Sequence, residues 1–169
     1  DRARIYIRVH GTSEEGAAVF SDFAKAYEYV PNIEKSEIVH WIDKVTAEVR
    51  YSLNLGPVVR MLLAFGFDEV GPDHENYTVR DHVSTDGNGS YKITWKFVSA
   101  DTTKDIEGAV TFEPLGNESL MVYDNLIVPG RKGSDSWAVK KHQKSDIEHV
   151  AKALANRIET ENRGLLQGE

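Results

Sequence analysis

Alternation is the clearest pattern along this chain. From Val45 to Leu55 the apolar residues Val45, Ala47, Val49, Tyr51, Leu53 and Leu55 take every second place, with Thr46, Glu48, Arg50, Ser52 and Asn54 between them. That period belongs to a strand with one face in a core and the other in water. Ile5, Ile7 and Val9 repeat it near the start, and Tyr91, Ile93, Trp95 and Phe97 repeat it in mid-chain. Tyr77–Ser84 and Tyr91–Val98 flank Asp86-Gly87-Asn88-Gly89, a hairpin signal. Ile33–Ile42 precedes the turn Asp43-Lys44. Gly108–Glu113 and Ser119–Val128 are split by Pro114-Leu115-Gly116-Asn117. The pattern predicts seven strands.

Helical signals occupy the two ends. Thr12-Ser13-Glu14-Glu15 reads as a capping box that starts a helix running towards Phe23. A second short helix is expected over Ala24–Tyr29, stopped by Pro31. A long helix is expected over about Ser134–Asn162. Its stripe is Ile147, Val150, Ala151, Leu154 and Ile158, and Arg163-Gly164 supplies the stop. At ~1.5 Å per residue it spans roughly 40 Å. The order predicts an α+β fold: a curved, seven-stranded antiparallel sheet, two short helices after the first strand, and a long C-terminal helix across the concave face. A straight helix cannot touch a strongly curved sheet everywhere, so space between them is expected.

Composition narrows the function classes. The chain has 169 residues, 40% of them hydrophobic, which suits one domain over residues 1–169. Twenty Lys and Arg against 27 Asp and Glu leave a net charge of −7. That balance argues against generic nucleic-acid binding. Cysteine is absent, so disulfides and thiolate chemistry are excluded. No apolar run reaches the roughly 20 residues of a membrane-spanning helix. The chain opens at Asp1 without methionine, as it would after loss of a leader. The expected location is therefore exported or periplasmic, with the cytoplasm as the alternative.

Three stretches carry a family resemblance. One is Val19-Phe20-Ser21-Asp22-Phe23 through Tyr29-Val30-Pro31-Asn32-Ile33-Glu34-Lys35-Ser36-Glu37. Another is Glu107-Gly108-Ala109-Val110-Thr111-Phe112-Glu113-Pro114 followed by Leu120-Met121-Val122-Tyr123. The third is the closing helix. In this order they resemble the START-like, helix-grip superfamily, also labelled SRPBCC, which includes polyketide cyclases, lipid-transfer domains and the birch pollen allergen group. Bacterial exported members are the most similar. The resemblance implies an internal cavity for a lipid or other hydrophobic small molecule. Gly108-Ala109-Val110 lacks the Trp that the family usually carries as Gly-x-Trp.

On that footing the expected ligand-binding residues are Val49, Tyr51 and Leu53; Val79 and Asp81; Ile93, Trp95 and Phe97; Val110 and Phe112; and Val150 and Leu154. Taken without the resemblance, the same alternation would describe a solid core. Asp81 shares the phase of Tyr77, Val79 and Val83 and should point inward, as a ligand handle, a general base or half of a salt bridge. Val58–Phe67 is apolar where a polar connection is usual, with Arg60 its one charge. It reads as a lip at the cavity mouth, with Leu62 and Phe65 touching ligand and the segment touching a membrane surface transiently, or else as a short core helix. His142, Asp146 and His149 have a spacing that could hold a metal, but their face is expected to lie opposite the Ile147–Leu154 stripe and to be solvated. Arg131 and Lys132 are expected in a solvated loop, or facing an anionic head group.

No His-Glu-x-x-His, phosphate loop or Gly-x-Ser-x-Gly elbow occurs. The expected function is therefore non-catalytic binding or carriage of a hydrophobic molecule, with no cofactor. Two alternatives remain: a cyclase/aromatase-type enzyme using Asp81 and Tyr51, and an interaction module similar to the ribosome-association toxin.

Overall fold

The seven expected strands become one sheet. The computed structural model describes the backbone of residues 2–167 and the side chains of residues 2–162. The elements run β1 (Arg2–Val9), α1 (Ser13–Ser21), a 3-10 helix (Phe23–Glu28), β2 (Ile33–Trp41), β3 (Thr46–Asn54), α2 (Gly56–Ala64), β4 (His74–Thr85), β5 (Tyr91–Ala100), β6 (Asp105–Leu115), β7 (Glu118–Val128) and α3 (Trp137–Gln167). The strand order is β1-β7-β6-β5-β4-β3-β2, antiparallel throughout. Sequential hairpins build it from β2 to β7, and β1 returns to the far edge beside β7.

Local chemistry sets the ends of these elements. At α1, Thr12 Oγ1 accepts from the Glu15 amide at 3.2 Å and the Thr12 amide donates to Glu15 Oε2 at 2.9 Å. Both halves of the predicted capping box are formed. The second short helix is a 3-10 turn rather than an α-helix. Pro31 and Asn32, which has a φ of 66°, leave no room for another turn. Of Val58–Phe67, the part up to Ala64 is helical, in α2, which has Pro57 in its first turn, and Phe65–Phe67 follow the helix. Two expectations about α3 need correction. It starts at Trp137 rather than Ser134, and it continues through Arg163-Gly164 to Gln167.

The apolar residues divide into two clusters. The main core joins Val49, Ile93, Val110, Phe112 and Met121 of the sheet to Ala151, Leu154 and Ile158 of α3. A separate small cluster holds Leu62 of α2, Val70 and Val139 of α3. Helix α3 makes its close approaches to β1, β7 and α1. Its C-terminal half is therefore clamped to one side of the sheet. The outer face of the sheet is polar, with cross-strand ion pairs such as Arg4–Asp124 at 2.7 Å and Arg80–Glu48 at 2.8 Å. Such exposed pairs are worth little individually, but they keep that face wet.

One glycine permits a key packing arrangement. Gly108 lies opposite Trp95 across the β5–β6 ladder. A Cβ there would sit 2.5 Å from the indole and 2.3 Å from the Asp124 carbonyl oxygen. The bare backbone lets Trp95 lie flat against β6, where its Nε1 donates to Asn125 Oδ1 at 3.0 Å. Gly108→Ala should therefore destabilise the protein by about 1–3 kcal/mol, the usual cost of overpacking. Denaturant unfolding measures the loss, and the near-ultraviolet dichroism of Trp95 should change with it.

Candidate functional site

Where α3 stands away from the sheet, a cavity of about 230 Å³ remains. Its floor is the inner face of the sheet: Tyr51 and Leu53 from β3, Glu75, Tyr77, Val79 and Asp81 from β4, Trp95 from β5, and Tyr123, Asn125 and Ile127 from β7. Its roof is one stripe of α3, Val139, His142, Gln143, Asp146, Ile147 and Val150. One end is closed by Val58 and Leu62 of α2, and Phe20, Ala26 and Tyr29 also contribute to the lining.

Seven of the expected ligand residues line this space: Tyr51, Leu53, Leu62, Val79, Asp81, Trp95 and Val150. The other seven do not. Val49, Ile93, Val110, Phe112 and Leu154 are fully buried core. They have the right phase but are filled in by neighbours: α1 packs on β5 and β6, with Gly16 against Phe112, and Leu154 lies in the half of α3 held to β1 and β7. Phe97 packs at the margin of the core. Phe65 follows the last residue of α2 and is 62% exposed, whereas Leu62 is 1% exposed. The α2 segment is thus split, with one face in the small cluster and Leu63 and Phe65 in solvent.

Two polar expectations are corrected. His142 and Asp146 border the cavity, 3.2 Å apart, and only His149 faces fully outward. The positions 139, 142, 143, 146, 147 and 150 follow the three-and-four spacing of a single helical face. That face contains these polar residues, and it is not opposite the apolar stripe. Burial pushes the Asp146 carboxyl up against the opposing pull of His142 and His149. Among the described residues, no group of three or more His, Cys, Asp and Glu is placed to hold a metal. Arg131 is not a solvated loop charge either: its side chain is 6% exposed and lines the cavity, while Lys132 is exposed and near Glu69 at 3.3 Å. Sequence reading also missed Glu75, Tyr29 and Tyr123. Glu75 was detectable, because it shares the phase of Tyr77 and Asp81 on β4.

Asp81 is the most unusual group on the wall. It is 2% exposed, and its Oδ2 has no hydrogen-bond partner among the described residues. The salt bridge anticipated as one option is not made. Loss of hydration pushes its carboxyl up to about 8. Tyr29, Tyr51, Tyr77 and Tyr123 all feel its field, and burial holds their phenols above the ordinary range, so they stay neutral. Tyr51 and Tyr77 pack with ring centroids 5.2 Å apart, and Trp95 lies between Phe20 at 5.6 Å and Tyr123 at 5.4 Å. The wall can therefore offer flat aromatic surface, phenolic hydroxyls and one neutral carboxylic acid.

The raised pKa of Asp81 fixes the sign of a stability effect. The folded protein keeps this proton up to about pH 8, whereas an unfolded Asp releases it near 4. The contribution to stability is thus fully present below about pH 4 and is lost as the pH rises through about 8. Wild type should lose stability relative to Asp81→Asn as pH rises from about 5 to about 8, by on the order of 1 kcal/mol per pH unit. Parallel denaturant titrations of the two proteins measure the difference. An equal pH response in both would contradict the buried, unpartnered state of Asp81.

No protein-family model matches the sequence, and no curated protein sequence matches it significantly. Solved structures do. A START superfamily protein from Mycobacterium smegmatis superposes with a TM-score of 0.70 at 18% identity, over 94% of this chain and 97% of that one. An aromatase/cyclase from Streptomyces sp. R1128 gives 0.67 at 15% identity, over 95% and 92%. A STAR-related lipid transfer protein from Xanthomonas axonopodis gives 0.73 at 13% identity, over 93% and 85%. With its sheet order, its long closing helix and these superpositions, the chain has the START-like helix-grip fold.

Proposed function

We propose that this protein binds and carries a hydrophobic small molecule or lipid in the cavity beneath α3, without catalysing its conversion. The observation that carries the reading is the unfilled, mainly apolar and aromatic space inside an otherwise packed fold. Structures similar to this one include a lipid transfer protein, which supports the class of ligand. The energetics suffice. Burying ~300 Å² of apolar ligand surface at roughly 25 cal/mol per Å² is worth about 7 kcal/mol before ordering costs.

A second reading, a cyclase-type enzyme, draws on one observation. Asp81 is a buried acid with a pKa of about 8, surrounded by neutral tyrosines, which is the kind of group that can pass a proton at neutral pH. An aromatase/cyclase is among the structural neighbours. Turnover of a poly-ketone substrate that is abolished by Asp81→Asn would favour this reading over carriage.

Native mass spectrometry of the purified protein, followed by organic extraction, tests carriage directly: a bound apolar molecule is expected. Trp95 reports on the cavity, provided that the exposed Trp41 and Trp137 are replaced by Phe. In that background an apolar ligand should change the fluorescence. Val150→Trp, which projects bulk into the cavity from α3, should weaken binding at least tenfold while the fold survives.

The exposed Leu63 and Phe65 at the end of α2 would serve as the contact with a membrane surface during loading. Phe65→Asp should slow transfer of an apolar ligand from vesicles and change stability by less than about 0.5 kcal/mol, as at other exposed positions. Leu62→Asp, by contrast, should cost several kcal/mol, because it buries an unpaired charge.

A further inference from the structure

Among the described residues, two side chains on the cavity wall, Arg131 and Asp81, have buried hydrogen-bonding groups without a partner; Arg131 lies beside Glu75 at the start of β4, and Asp81 lies further along that strand. Arg131 donates through Nη1 to the Val70 carbonyl at 3.0 Å and to the Pro72 carbonyl. Its Nε and Nη2 are buried and have no hydrogen-bond partner among the described residues. Glu75 Oε2 lies 3.9 Å from Nε, too far for a hydrogen bond. The Glu75 Oε1 is occupied by the Thr102 amide at 3.0 Å, the Thr102 hydroxyl at 2.9 Å and the Thr103 amide at 2.6 Å. Glu75 therefore balances the charge of Arg131 without using its free donors. The second group is Asp81.

Glu75, Tyr77, Val79 and Asp81 alternate along one face of β4, and all four line the cavity. Six residues at ~3.3 Å each put Glu75, with Arg131 beside it, about 20 Å of strand from Asp81. The cavity they line therefore extends along β4 as a slot from Glu75 to Asp81. Each unmet buried polar group costs about 1–3 kcal/mol, so a ligand that meets them gains accordingly.

Charge decides what kind of group fits. Arg131 and Glu75 cancel. Asp81 is neutral below about pH 8, and the groups sharing its cavity are the neutral phenols of Tyr29, Tyr51, Tyr77 and Tyr123 and the His142–Asp146 pair on α3. A ligand carboxylate would bring a second anion beside Glu75. An ammonium group would bring a second cation beside Arg131. Resting on the carrier reading, we propose that the slot selects an elongated, uncharged molecule with a hydrogen-bond acceptor at each end, one received by Arg131 and the other by the Asp81 carboxyl. Long alcohols, ketones and esters, and linear fused-ring compounds with oxygen at both ends, belong to this class.

The test compares hexadecane, hexadecanol, hexadecanediol with a hydroxyl at each end, and hexadecanoic acid. Each competes with a fluorescent apolar dye for the cavity. The diol should bind about tenfold more tightly than the mono-alcohol, and the acid more weakly than either. Asp81→Leu should erase the advantage of the diol, and Asp81→Asn, which keeps a donor, should retain most of it. Arg131→Lys keeps the charge but not the planar set of donors, and it should cost the alcohols about tenfold without affecting hexadecane. Arg131→Met serves as a second variant if thermal unfolding shows that it folds. Equal binding of alkane, alcohol and diol, or an order unchanged by these variants, would overturn the proposal and leave carriage standing, with trapped water meeting the two groups. Tightest binding of the acid, lost on replacing Arg131, would overturn the uncharged class. Failure of the dye and all four probes to bind would instead remove the carrier reading beneath it.

Discussion

The cavity exists because a straight helix is fastened to a curved sheet over only part of its length. Ala151, Leu154 and Ile158 hold the C-terminal half of α3 against the core, in reach of β1, β7 and α1. Once that half is fixed, the direction of the remainder is fixed too, and the sheet curves away beneath it. The turns of α3 near His142 and Asp146 stand over space that β3, β4 and β5 cannot fill. Close packing elsewhere makes the gap meaningful, since protein interiors normally leave few voids larger than a water molecule.

Inside that gap, specific packing defines the wall. Trp95 could occupy several orientations on an ordinary strand. Here Gly108 lets it lie against β6, Asn125 holds its N–H, and Phe20 and Tyr123 flank its faces. The indole is thereby held as a fixed surface rather than swinging into the space. The missing side chain at Gly108 does work that the Trp of a Gly-x-Trp pattern would otherwise disturb, because residue 110 is Val, fully buried in the main core.

The fold was legible because it rests on local rules. Period-two alternation marks β1, β3 and β5, turn signals bound the other strands, the Thr12–Glu15 box starts α1, and the stripe from Ile147 to Ile158 identifies α3. The site was about half legible. Alternation tells which face of a strand is inward, but it cannot tell whether a helix fills the space in front of a given residue. Tyr51 and Val49 share a phase, and only the first meets the cavity. Polar wall residues were harder still. Arg131 is buried through backbone carbonyls about sixty positions earlier in the chain, a pairing with no local signature. His142 and Asp146 were accessible to helical arithmetic: they share the three-and-four spacing of Val139, Ile147 and Val150, which an expected position opposite the apolar stripe overlooks.

The division of the apolar residues into two clusters has a kinetic consequence. Leu62 and Val139 line the slot, yet with Val70 they form a cluster separate from the main core. At ~1.5–3 kcal/mol per buried side chain, these three supply roughly 5–9 kcal/mol, far less than the main core. Local opening can then occur far more often than global unfolding. On the carrier reading, the residence time of a bound molecule would be set by the small cluster, and the lifetime of the folded chain by the large one. The two can be tuned independently, by substitutions at opposite ends of the same helix.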